Sequence, residues 1–399
     1  YIWYSGKLWR AVSVNNEAKT VKLVTQWNIS AIPYNKESNT SFNGSYIEKW
    51  LNDTTVDGFL GNLRDYENFI VTDAKWDATM DDRALDELTR PNGTTIVTNP
   101  IGLLNMYEYQ VVNSKNSYLN NGVSWWTLTP YSSYLFRHVD SDGSATNYGP
   151  ISVSGVRPSI NLKSNVKIVD GNGTESDPYR LEGDNDTISL GTKLSSRYSG
   201  EYVQFGNDEN NLYRIVSHEN GVGTKIVSDK PLKDLDTGTF KTMAFGDNIN
   251  YSSTNTIGTF LNEEYLTNYV DDTYNNMIED NTTWYLGTVG RGESYRLAKY
   301  TDTTGNILTS NTSNAKVGLL RLGELMAGSF DMYKNNVDYW TLTPYTSSNV
   351  HRINIYSSSS YDSSILIGGV KPALNLKSNV QITSGTGTKS DPFKLELAN

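Results

Sequence analysis

The stretch His138-Val139-Asp140-Ser141-Asp142-Gly143 comes nearest in this chain to a metal-binding loop. Asp140-x-Asp142-Gly143 matches the opening of a calcium loop, where alternate carboxylates turn inward and a glycine permits the sharp bend. A complete loop needs further oxygen ligands and a distal glutamate, and none stands at the required spacing. Ser-Asp-Gly between alternating residues reads instead as the turn of a hairpin. The three histidines, His138, His218 and His351, form no His-x-x-x-His pair for zinc or iron. There is no cysteine, so there is no disulfide, thiolate nucleophile or thiolate metal site. Neither "RGES" nor "GNGTESD" is a nucleophile elbow, and Asp81-Asp82 and Glu263-Glu264 sit in polar, solvated stretches. The expectation is a protein that is not an enzyme, with no catalytic residue, metal or cofactor.

The chemistry that remains is that of contact. Tyr131, Tyr134, Arg137, Asp140, Asp142 and Tyr148 fall in one short stretch. Tyr345, His351, Arg352, Tyr356 and Tyr361 fall in another. Tyrosine gives broad contact area at low entropic cost, and the serines between supply adaptable hydrogen bonds. These eleven residues are the expected ligand-binding set. Strand alternation would turn some of them inward, so each tyrosine is either a contact or a core residue.

The two stretches lie inside a long repeat. Trp126-Thr127-Leu128-Thr129-Pro130-Tyr131 recurs as Trp340-Thr341-Leu342-Thr343-Pro344-Tyr345. Gly155-Val156-Arg157-Pro158 recurs as Gly369-Val370-Lys371-Pro372, and Asn161–Val166 as Asn375–Val380. All keep one separation of 214 residues. The front halves match more loosely: Trp50-Leu51-Asn52 answers Phe260-Leu261-Asn262, and Gly102-Leu103-Leu104 answers Gly318-Leu319-Leu320. This is duplication of a whole domain. The expected domains are 1–185 and 186–399, with the boundary near "GDNDTISLG".

Within a unit, "KLWRAVSV" and "KTVKLVTQW" alternate as strands. Ser45 and Glu48 form a capping box for a helix whose Ile47, Trp50 and Leu51 share a face. Asn105 and Glu108 cap a second helix, whose partner in the other copy has Arg321 at the cap. After that each unit returns to strand. The reading is α+β, short helices framing a twisted, mostly antiparallel sheet.

Composition bounds the partners. At 399 residues two domains are the natural prior. The net charge of −10 argues against nucleic acid, which needs a basic face. No apolar run approaches the roughly 18 residues of a membrane helix. Abundant Asn, Thr, Ser, Gly and Tyr point to an extracellular, cell-surface or secreted protein. The chain opens on Tyr1, which reads as a mature or excised fragment.

Trp125-Trp126…Pro130, then Val139-Asp140-Ser141-Asp142-Gly143, then Gly155-Val156-Arg157-Pro158 resembles a bacterial module of unknown function found on Gram-positive surface proteins and in phage-related proteins. Typical members read near W-W-L-R-S-P and G-V-R-P-A-L. The first copy replaces the Leu-Arg-Ser of that motif, and the second has Tyr339 and Lys371 in place of a tryptophan and the arginine. The resemblance implies two tandem C-type-lectin-like domains, with "WTLTPY" and "GVRPSINL" as framework and the segments between as a display surface. It implies a binding or adhesion module for a protein or glycan ligand. The alternative is a structural subunit that self-associates into a filament or surface layer.

Overall fold

A computed structural model describes residues 1–83, 90–112, 116–184, 188–206, 210–219, 223–289 and 312–398. The expected domain boundary after residue 185 and the "RGES" stretch lie outside the described residues. The chain divides into two compact units. The first comprises Tyr1–Asp186 together with Met326–Lys334 and Tyr356–Ser358, and the second comprises the rest.

The expectation of two tandem α+β C-type-lectin-like domains is overturned. The chain is mostly β, 35% strand against 13% helix, and among the described residues each unit holds two larger sheets of five or six strands. In unit 2 Thr256–Thr259, the π-helical Phe260–Glu264 and Tyr265–Asn268 follow one another without a break. Ser45 and Asn105 do cap helices, although Glu48 accepts from the Gly44 amide rather than from Ser45, and the two helices run for only six and five residues. Lengths of that order lie near the nucleation limit and hold only by packing on the sheets.

In unit 1 a six-stranded sheet runs in the order Ser159–Leu162, Thr20–Thr25, Lys7–Asn15, Ile2–Tyr4, Tyr179–Leu181 and Ile168–Asp170. A five-stranded sheet runs Ser30–Pro33, Val153–Val156, Trp125–Pro130, Phe136–Val139 and Ala145–Tyr148. Unit 2 repeats the second sheet as Thr242–Ala244, Ile367–Gly369, Tyr339–Pro344, Asn349–Ile353 and Ser359–Ser363. The same unusual parallel pairing closes both, Gly155 beside Trp125 and Gly369 beside Tyr339.

The repeated words are structural in each copy. Trp126 is buried and its indole donates to the Ile32 carbonyl at 2.9 Å; Trp340 is buried and donates to the Met243 carbonyl at 2.9 Å. In Gly102-Leu103-Leu104 and Gly318-Leu319-Leu320 the glycine lies flat on an indole. A Cβ at Gly102 would stand 2.3 Å from the Trp76 ring, and one at Gly318 would stand 2.7 Å from that of Trp284. The Arg157 guanidinium is fully buried over Trp125, 4.9 Å from the ring, and donates to the carbonyls of Thr25 and Leu119. Burial pushes its pKa down to about 9. Its counterpart Lys371 lies 4.9 Å over Tyr339, pushed down to about 8 by burial.

Both second helices form. Asn105 accepts from the Glu108 amide while Glu108 accepts from the Asn105 amide, and Thr129 Oγ1 accepts from Met106 N. In the other copy Glu324 still accepts from Arg321 N and Thr343 Oγ1 from Leu322 N. The Arg321 side chain turns to the carbonyls of Tyr285 and Gly287. Half of the box therefore suffices to start that helix.

Candidate functional site

The segments between the repeated words are hairpins. Phe136–Val139 pairs with Ala145–Tyr148, and Asn349–Ile353 pairs with Ser359–Ser363. The first turn is the Ser-Asp-Gly turn expected from its spacing, with Gly143 at φ 83° and its amide on the Asp140 carbonyl. Asp142 accepts from the amide and hydroxyl of Ser144, and Asp140 accepts from Ser124 Oγ. The Asp142 carboxylate thus serves the turn, and that of Asp140 ties the hairpin to Ser124. Among the described residues no group of three His, Asp or Glu gathers to hold a metal ion.

The inner half of each hairpin is interior. Arg137 is buried beneath Tyr131, 4.5 Å from its ring. It donates to the carbonyls of Asp81 and Arg83 and to the Asn147 side chain, and burial lowers its pKa. At the equivalent place His351 is buried, its Nε2 2.8 Å from the Val289 carbonyl. One residue further along, the pair is exchanged. His138 lies against Trp126 and shares a 2.5 Å hydrogen bond with Ser154 Oγ. Its counterpart Arg352 lies 4.9 Å over Trp340 and donates to Asp362 at 2.7 Å. The sequence shows Arg-His in one copy and His-Arg in the other. It does not show that both side chains work inward, because strands of four and five residues carry too little alternation to assign a face.

The outer half is where tyrosine meets solvent. Tyr134 is 65% exposed and Tyr361 52%. Tyr148, also exposed, stacks on His138 with ring centres 4.5 Å apart. Tyr361 stacks on half-buried Tyr345 at 3.9 Å. Tyr356 is exposed, with the Lys334 ammonium 5.5 Å from its ring. Of the eleven expected contacts, Tyr134, Tyr148, Tyr356 and Tyr361 are exposed aromatics. Arg137, His351 and Arg352 hold the hairpins from within.

A second site was not anticipated. In unit 1 a cleft of about 700 Å³ is lined by Ser13, Lys22, Lys75, Arg90, Glu108 and Asn161 among others, and an adjoining hollow of about 340 Å³ adds Tyr107. Lys22 Nζ lies 2.5 Å from Glu108 Oε1 and 4.9 Å over Trp76. Unit 2 repeats the arrangement: Lys225 is 2.7 Å from Glu324 and 5.3 Å over Trp284. There the pair is sealed, its side chains 5% and 1% exposed, against 18% and 20% in unit 1. The signal in the sequence was the recurrence of Lys22, Glu108 and Asn161 as Lys225, Glu324 and Asn375.

A family model described as Domain of unknown function (DUF6273) matches residues 86–164, the stretch that carries Trp125-Trp126 and Gly155-Val156-Arg157-Pro158. That stretch is a domain of an uncharacterised family. No curated protein and no solved structure matches the chain.

Proposed function

We propose that the chain is a non-enzymatic binding module of a cell-surface or secreted protein, which presents tyrosines to a protein or glycan ligand. One observation carries the reading. Exposed Tyr134, Tyr148 and Tyr361 stand on hairpins whose inner faces are pinned by buried arginine, histidine and tryptophan. A side chain that is already held loses little entropy on binding, and aromatic anchors of this kind dominate contact energies. The half-open ion pair in the unit 1 cleft, with Asn161 beside it, offers carboxylate, ammonium and amide to the hydroxyls of a sugar. Among the described residues no helix is long and apolar enough to cross a membrane.

A second reading, self-association into a filament or layer, is favoured by one feature. Ile365, Leu366 and Ile367 are consecutive, exposed and apolar, and Ile367 pairs with Ala244 on an edge strand. Exposed apolar runs beside a free edge invite strand pairing between chains.

The experiment is a glycan array and a surface-protein pull-down with the intact chain, repeated with Tyr134→Ala, Tyr148→Ala and Tyr361→Ala. Each tyrosine that anchors a ligand should weaken capture about tenfold, the size of a contact worth over 1 kcal/mol. Capture that survives all three substitutions moves the site to the cleft. Absence of any ligand together with assembly at high concentration, abolished by Leu366→Lys, favours the filament.

A further inference from the structure

Unit 1 contains a stretch of chain that its own repeat does not supply. Met326–Lys334 belongs to unit 1 by its packing, although it lies in the second repeat. Its first seven residues are all buried. Met326 accepts from Ser30 Oγ through its carbonyl at 2.7 Å, and its sulfur lies 3.3 Å from the Ala31 amide. Met332 donates to the Asn28 carbonyl at 2.6 Å, which makes an antiparallel bridge. Tyr333 meets Trp27 edge-on at 5.7 Å, and its carbonyl accepts from Ser357 Oγ at 2.7 Å. Between these ends Gly328, at φ 76°, presses on an apolar wall. A Cβ there would stand 2.9 Å from the Trp50 ring, 3.1 Å from Ile29 and 3.3 Å from Phe59.

Unit 2 fills the same place by other means. Leu232 is the counterpart of Ile29, since each donates to the valine of its Gly-Val motif, Val370 and Val156. Phe260 is the counterpart of Trp50, each two residues before an asparagine that bonds the strand beside it. In unit 1 Ile29 runs straight into the strand Ser30–Pro33. In unit 2 a hairpin intervenes, with Lys233 bridged to Phe240, and it returns Lys241 to a position 5.0 Å over the Phe260 ring. One copy seals its wall with its own hairpin, while the other lacks that hairpin and takes in a distant segment.

We propose that the wall of Ile29, Trp50 and Phe59, with the edge Asn28–Ala31, is a peptide-binding groove whose occupant is the segment Met326–Lys334 of the same chain, held by the carbonyl and sulfur of Met326, by the backbone amide of Met332 and by the absence of a side chain at Gly328. The ligand class is an extended peptide of about nine residues, small at its third position.

The test uses the full chain bearing Gly328→Val. Valine meets both the positive φ and the indole, so the segment should leave the groove. Hydrogen exchange should then speed up at least a hundredfold at the amides of Ala31 and Met332, while the Ile226 and Leu374 amides of unit 2 keep their protection. Addition of the synthetic peptide MAGSFDMYK should restore protection at Ala31, and MAVSFDMYK should not. Unchanged protection in the variant, or protection that is lost and not restored by the glycine peptide, overturns the proposal. If the valine variant does not fold, Gly328→Ala and Met332→Ala are read by the same two measurements.

Discussion

His138 shows how one interior side chain sets an acid limit. It is almost fully buried, shares its Nε2 with Ser154, and lies between Trp126 and Tyr148. Among the described residues the carboxylate that faces it is that of Asp140, 3.9 Å from Nδ1. Burial lowers its pKa from 6.5 to about 4. The unfolded chain therefore binds a proton between those values that the folded chain does not, and stability falls as the pH drops through this window. The loss begins near pH 6.5 and is complete below pH 4, on the order of 3 kcal/mol at about 1.4 kcal/mol per unit. Thermal melts of the protein and of His138→Gln across pH 4–7 should show the steeper slope in the protein; equal slopes would remove His138 from the account. At the same scale, Trp126→Ala should cost about 3–5 kcal/mol, the range for a buried aromatic, measurable by urea unfolding. Trp126 was legible as framework because it recurs as Trp340. The inward arginine and histidine of the hairpins were not, since a buried cation and an exposed one are spelled alike.

At the level of elements, the signals for starting a helix were readable and the length of the helix was not. Ser45 caps Tyr46–Leu51 and Asn105 caps Met106–Gln110. Asn105→Ala should cost about 1 kcal/mol through loss of the cap. Calorimetry checks it, and a melting temperature shifted by less than a degree would show that Thr129 and Glu108 suffice. Gly102→Ala tests the contact of strand and indole. Its new methyl would overlap the Trp76 ring, so it should destabilise by about 1–3 kcal/mol, as overpacking does. A neutral result would mean that Trp76 can move aside. Apart from Lys7–Asn15 and Leu212–Glu219, the described strands run for two to six residues, and this is why the α+β expectation failed. Those short strands show no period, so a few capped turns weighed more in the sequence than they do in the fold.

For the whole molecule, duplication was plain in the sequence and the sharing of chain was not. "MAGSFDMYK" has no periodicity of its own, and the residues it packs on lie about 300 positions earlier. Physical partnership at that distance leaves no local trace. The expectation that follows concerns dissection. A fragment of residues 1–185 lacks the segment that covers Trp50 and Phe59, and its apolar wall would face water. Such a fragment should bind a hydrophobic dye strongly and sediment as aggregates, where the full chain does neither. A monodisperse fragment with native near-ultraviolet dichroism would show that the wall closes by itself.

The exchanged Arg137-His138 and His351-Arg352 pairs limit what an engineer could graft. A hairpin cut out at Tyr131 and Ser154 carries its exposed tyrosines with it, and it also carries an arginine whose acceptors, the carbonyls of Asp81 and Arg83, stay behind. Placed in the other copy, that arginine would meet a site cut for an imidazole on the Val289 carbonyl. The transferable part of this scaffold is therefore narrower than the variable part. Exposed positions can be recoded freely, while the two inward positions must be inherited from the host, so a working library would randomise around Tyr134, Tyr148 and Tyr361 and leave the dipeptide alone.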